Sequence, residues 1–151
     1  YIPIGFMRPQ DGLCSNKLKL FPQATLYHFS VLTSMVHMVW TNVVCGRLET
    51  RINYSTELVY NTFPWPQKVS SQLRQQMEAA AQEILKAREA HSELNLAQMY
   101  TLNKMPQDLV SAHQHNDLLV LQAYGFASDW TSEQIFAALY RLYVQIGRDK
   151  M

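Results

Sequence analysis

The sequence predicts an α+β chain: a small β-containing part with a buried helix, followed by a C-terminal three-helix bundle. Three observations carry that expectation. Residues 47 to 54 alternate polar and apolar with the period of a strand, Leu32 to Val44 repeats apolar residues at helical spacing, and three amphipathic stretches follow a Phe63-Pro64-Trp65-Pro66 stop.

In chain order, Tyr1 to Met7 is β-prone, and Pro3 with Gly5 suits an edge strand or a bulge. Arg8-Pro9-Gln10-Asp11-Gly12 reads as a turn, because Asp-Gly supplies the positive φ of a tight reversal. From Lys17 to Phe21 polar and apolar residues alternate as in a half-exposed strand that Pro22 closes. Leu32, Met35, Val36, Val39, Trp40 and Val43 then define a mostly buried helix with Gly46 as its stop. A strand over Arg47 to Tyr54 puts Arg47, Glu49, Arg51 and Asn53 on one side.

The prolines of Phe63-Pro64-Trp65-Pro66 remove backbone donors and force extended backbone, so this stretch is a stiff connector with two apolar anchors. Composition shifts here toward Gln, Ala, Glu and Lys. The expected boundary therefore divides residues 1–66 from residues 67–151. Beyond it, Val69, Leu73, Met77, Ala80, Ile84 and Ala87 form one helical face behind a cap at Ser70 or Ser71. A second helix is expected from Pro106 to Tyr124 with Gly125 at its end, and a third opens with the capping box Thr131-Ser132-Glu133-Gln134.

At 151 residues, with 48% apolar and 17% charged side chains, the chain is neither disordered nor membrane-spanning and can bury a proper core. Its net charge of +1 divides into five Lys/Arg against three Asp/Glu up to Pro66 and eight against nine after it. Such a mild excess fits a fragment that reads bases while other parts grip phosphates, and it fits equally a domain that never meets nucleic acid. Cys14 and Cys45 have neither CxxC spacing nor paired histidines, so a reduced cytoplasmic setting is expected, without zinc. The chain opens at Tyr1 in an apolar run and is expected to be a piece of a longer polypeptide.

Catalytic chemistry finds little to build on. His113 and His115 are two apart and fall on different helix faces, and all five histidines read as structural or solvated. Glu78, Glu83, Glu89 and Glu93 interleave with Arg74, Lys86 and Arg88 as a solvated face. There is no Gly-rich phosphate loop. Binding chemistry is better represented: an Arg forks onto guanine, a Glu accepts from cytosine and an Asn pairs with adenine, so Glu49, Arg51 and Asn53 form a base-reading set. The outward side of any surface strand offers the plainer explanation. Lys17 and Lys19, with Arg8 nearby, protect a strand edge in one reading and contact phosphates in the other.

The runs "YIPIGF", the Ser15-Asn16 pair, "ATLYHFSVLTSMVHMVWTNVVCGRLETRINYS" and "VYNTFPWP" resemble the last part of the target-recognition domain of MmeI-like enzymes. These are single-chain type IIL restriction-modification proteins that join a nuclease, an adenine-N6 DNA methyltransferase and a recognition domain. "AREAH", Met99 to Pro106 and "AHQHNDLLVLQAYGF" are similar to their C-terminal helical domain.

The resemblance covers essentially the whole chain. It implies base contacts from Glu49, Arg51 and Asn53 after Gly46-Arg47-Leu48, and from Asn16 and Lys17 after Ser15. Lys19, Arg47 and Arg8 would touch the DNA backbone. The methyltransferase and nuclease motifs of the family are absent, so the fragment is expected to catalyse nothing itself and to hold no cofactor; S-adenosylmethionine and Mg are expected for the parent. The implied partners are double-stranded DNA and the remainder of the parent chain, with no membrane. A helical protein-interaction module without DNA contact is the alternative, and an enzyme built on His28, His37 or Cys45 comes third.

Overall fold

In a computed structural model, residues 1–7, 18–45, 47–48, 51–52, 54–101 and 104–148 are described, the two short pairs 47–48 and 51–52 by their backbone alone. Among them the chain is helical. Helices α1 (Leu26–Leu32) and α2 (Met35–Val44) precede β1 (Arg47–Leu48), β2 (Arg51–Ile52) and a π-helical turn at Thr56–Tyr60. Then follow α3 (Ser71–Ala90), α4 (Leu96–Met99), α5 (Gln107–Tyr124) and α6 (Ser132–Arg148).

The α+β expectation is therefore corrected. Seven helices carry the architecture, and the extended pairing among the described residues is one ladder of two residues a side, with Arg47 opposite Ile52 and Leu48 opposite Arg51. A ladder that short has no face on which to build a core. Tyr1 to Met7 and Leu18 to Phe21 form no strand, although both are β-prone. Alternation is a local signal, whereas a strand exists only where a second edge takes up its hydrogen bonds.

The helix expected over Leu32 to Val44 is α2, which begins at Met35; α1, before it, was not expected. Thr33 and Ser34 separate the two, the Ser34 hydroxyl donating to Val31 O at 2.7 Å and accepting from His37 N at 3.4 Å, so that α2 starts with its own N-cap. Val36, His37, Val39, Trp40 and Thr41 are buried, but Val43 is exposed. The later helices start and stop where their caps place them. Ser70 Oγ accepts from Leu73 N at 3.1 Å, Gly125 ends α5 at φ 71°, and Thr131 with Gln134 exchanges reciprocal bonds at the start of α6.

The helices expected as a C-terminal bundle also pack on the helices before the connector. Helix α3 packs against α5 and also against α1, while α6 packs on α2. One core gathers Val36, Trp40, Val59, Phe63, Met77, Val120, Ile135 and Leu139; a second joins Phe29 to Ala81, Ile84, Met99 and Leu109. Both cores draw residues from before and after the Phe63-Pro64-Trp65-Pro66 connector, whose Phe63 is buried and whose Pro64 carbonyl accepts from Tyr124 OH at 2.9 Å.

Candidate nucleic-acid interface

The candidate base-reading stretch follows directly on α2. At the helix end the Cys45 N–H still reaches Thr41 O at 3.0 Å, and Cys45 itself is buried. β1 then pairs antiparallel with β2. A hairpin root thus replaces the continuous strand expected over 47 to 54. In a single strand Arg47 and Arg51 would occupy equivalent positions; in this register they sit in neighbouring pairs of the ladder, each opposite an apolar residue.

Beyond β2 the chain is fixed again at Tyr54. The Tyr54 hydroxyl lies 3.2 Å from His37 Nε2, and His37 Nδ1 lies 2.8 Å from Leu32 O. A carbonyl can only accept, so Nδ1 carries the proton and Nε2 accepts from the phenol. His37 is fully buried on α2, and burial holds its imidazole down to about 4, so the neutral tautomer is the form at neutral pH. Burial, with Tyr60 and Cys45 nearby, pushes the Tyr54 phenol well above its usual range and keeps it a donor. Phe63 stands edge-on to His37 with centroids 4.8 Å apart, closing the box from the connector side. After Tyr54, Ser55 caps the π-helical turn by accepting from Leu58 N at 3.2 Å, and Asn61 N reaches back to Thr56 O at 2.9 Å.

Of the expected site residues, Glu49, Asn53, Asn16, Lys17 and Arg8 lie outside the described residues. Arg47 and Arg51 sit in adjacent pairs of the ladder, where the pairing sets each opposite an apolar residue and not opposite the other. Lys19 is exposed in the segment before α1.

A second polar assembly joins the first residues to the helices, and sequence reading did not find it. Tyr1 OH donates to Asp117 Oδ2 at 2.6 Å, and Met35 N donates to the other oxygen at 2.7 Å. The Tyr1 ring stacks on His113 at 4.0 Å. Arg88 donates through Nε and Nη2 to Tyr100 OH and through Nη1 to Ile4 O at 2.5 Å. Tyr100 OH in turn lies 2.7 Å from His113 Nε2. Burial, and then the Arg88 charge, hold His113 down to about 3, while burial raises the Asp117 carboxyl to about 6. Arg88 is buried rather than part of a solvated face. Its spacing from Met77, Ala81 and Ile84 was the available signal.

His115 points away from His113 and pairs with Glu83 at 2.8 Å. No group of three or more His, Cys, Asp or Glu able to hold a metal occurs among the described residues, and no described helix is long and apolar enough to cross a membrane. What the arrangement shows is a short antiparallel ladder with Cys45 before it and Tyr54 after it both held to α2.

These features match the recognition end of a DNA-modifying enzyme. The backbone superimposes with a TM-score of 0.80, at 38% identity, on a solved structure of the type IIL restriction-modification enzyme MmeI in complex with DNA, over 84% of this chain and 17% of that one. The chain is also 36% identical over 146 residues to DNA methyltransferase A of Bacillus subtilis (strain 168), covering 97% of this chain and 16% of that protein. Residues 1–67 match the MmeI target recognition domain and residues 69–149 the MmeI C-terminal domain. The chain belongs to the MmeI family, and corresponds to the recognition and C-terminal domains of methyltransferase-containing relatives of which it spans about a sixth.

Proposed function

We propose that the chain supplies DNA sequence recognition, and a helical brace for it, to an adenine-N6 DNA methyltransferase and restriction enzyme acting in the cytoplasm. The observation that carries this reading is the anchoring of Tyr54, which follows the β1–β2 pair, to His37 on α2, in a chain of the MmeI family. A two-stranded ribbon fits the major groove, where a rigid root lets side chains meet base edges in fixed register.

In this reading Glu49, Arg51 and Asn53, with Asn16 and Lys17, read bases, and Lys19, Arg47 and Arg8 contact phosphates. Glu49 and Arg51 can share one C·G pair, Glu49 accepting from cytosine N4 and Arg51 donating to guanine. S-adenosylmethionine and Mg belong, in this reading, to other parts of such an enzyme. The partners are double-stranded DNA and the rest of the enzyme. Leu118 on α5 and Tyr140 and Tyr143 on α6 are exposed, which favours these helices as the surface toward that remainder and keeps a protein-interaction role beside the first.

Binding of the full natural polypeptide carrying residues 1–151 to short duplexes, measured over a range of salt, tests the reading. Affinity should fall with salt, and alanine at Arg47 or Lys19 should weaken all duplexes alike and flatten the salt slope. Salt-independent binding, or none, would refute it.

A further inference from the structure

Resting on the recognition role just proposed, the geometry points to His37 and Tyr54 as positioning residues that fix the angle at which the hairpin meets DNA. Neither needs to touch a base. The hairpin leaves the helical body at Cys45 and returns at Tyr54, so its pitch depends on what holds those two points. Cys45 is held by its backbone bond to Thr41 O, which belongs to α2. The return is held by a side chain: Tyr54 OH donates 3.2 Å to His37 Nε2, and His37 is itself fixed by Leu32 O at 2.8 Å and by the ring of Phe63.

This relay reaches from the hairpin root through α2 to the last residue of α1 and to the connector. Tyr54 is only half-buried, and its ring packs against the core without needing the hydroxyl for burial. The hydroxyl adds direction to a contact that packing alone would leave free to tilt. Base-edge hydrogen bonds tolerate little tilt, so loss of the anchor should show as loss of discrimination before loss of fold.

The test uses the full natural polypeptide carrying these residues and compares methyl transfer to duplexes bearing its own motif with transfer to single-base variants of that motif. Four variants are needed: Tyr54→Phe, His37→Asn, His37→Gln, and a Glu49→Arg/Arg51→Glu exchange. Asn at position 37 can replace the Nδ1 donor but not the Nε2 acceptor; Gln can replace the acceptor. Tyr54→Phe and His37→Asn should lower discrimination about tenfold at the base reassigned by the exchange, the scale of one weakened base contact. With duplex below saturation the rate on the proper motif should fall by that same factor, because a mismatched duplex already lacks the contact, while kcat at saturating duplex stays within about twofold; His37→Gln should restore selectivity. Unchanged discrimination in Tyr54→Phe, or an equal loss at every position together with a lower Tm, would overturn the inference. If His37→Asn does not fold, Tyr54→Phe decides. An exchange that leaves the motif unaltered would instead sink the recognition reading itself, so the two failures are distinguishable.

Discussion

Arg88 lies four residues after Ile84 and eleven after Met77, and that spacing draws its guanidinium into the second core, where the Ile4 carbonyl and Tyr100 hydroxyl receive it. The alternation of acids and bases along α3 had suggested a solvated face, because charge pattern and helical face give conflicting readings at this position. Arg88→Leu leaves Ile4 O and Tyr100 OH without their charged donor and should cost about 2–3 kcal/mol, read by urea unfolding. His37 and His113 add a pH dependence. Burial holds both below the ordinary histidine value, to about 4 and about 3, so the unfolded chain takes up protons first as pH falls. Their contribution is intact above about 6.5 and is lost progressively toward about 4. Asp117 acts oppositely, its raised value of about 6 favouring the folded state as pH falls from there to 3.8. Two histidines against one carboxyl leave a net loss: Tm should be lower at pH 4.5 than at pH 7, and His37→Gln should reduce that difference. A Tm that rises on acidification would contradict the assignment.

Among the elements, α3, α5 and α6 were legible because their ends carry chemistry. Ser70, Gly125 and the Thr131–Gln134 pair each satisfy terminal backbone groups, so caps and apolar stripes give the same bounds. Gly125 holds φ 71° while Phe126 N returns to Leu121 O at 2.9 Å, a left-handed helix stop. Gly125→Ala meets no atom within 4 Å but still carries the backbone penalty, so it should destabilise by about 1 kcal/mol, seen as a lower denaturation midpoint at unchanged m. The strands were less legible. Leu18 to Phe21 alternates without forming a strand, and Arg47–Leu48 pairs antiparallel with Arg51–Ile52, which alternation alone cannot distinguish from one longer strand. Helix α1 was missed altogether, and α2 begins three residues later than expected because the Ser34 cap, rather than the apolar spacing from Leu32, sets its start.

Over the whole molecule, the two family segments share their cores, so what is done to one is felt by the other. Trp40 on α2 packs with centroids 5.8 Å from both Phe136 and Tyr143 of α6. Trp40→Ala should cost about 3–5 kcal/mol and release α6, seen as early hydrogen exchange along that helix. Eight candidate contacts, Asn16, Lys17, Lys19, Glu49, Asn53, Arg8, Arg47 and Arg51, were named from residue chemistry and family resemblance, yet the His37–Tyr54 pair was invisible in the sequence because its members are 17 positions apart. Such a pairing emerges only once α2 and the hairpin root are folded together. Recognition by that hairpin is tested most directly by mapping N6-methyladenine in cells carrying the full natural polypeptide, beside the Glu49→Arg/Arg51→Glu exchange. A single adenine-containing motif that changes at one base pair in the exchanged protein is the expected result; an identical motif in both, or a well-expressed protein that leaves the genome unmethylated, would contradict it.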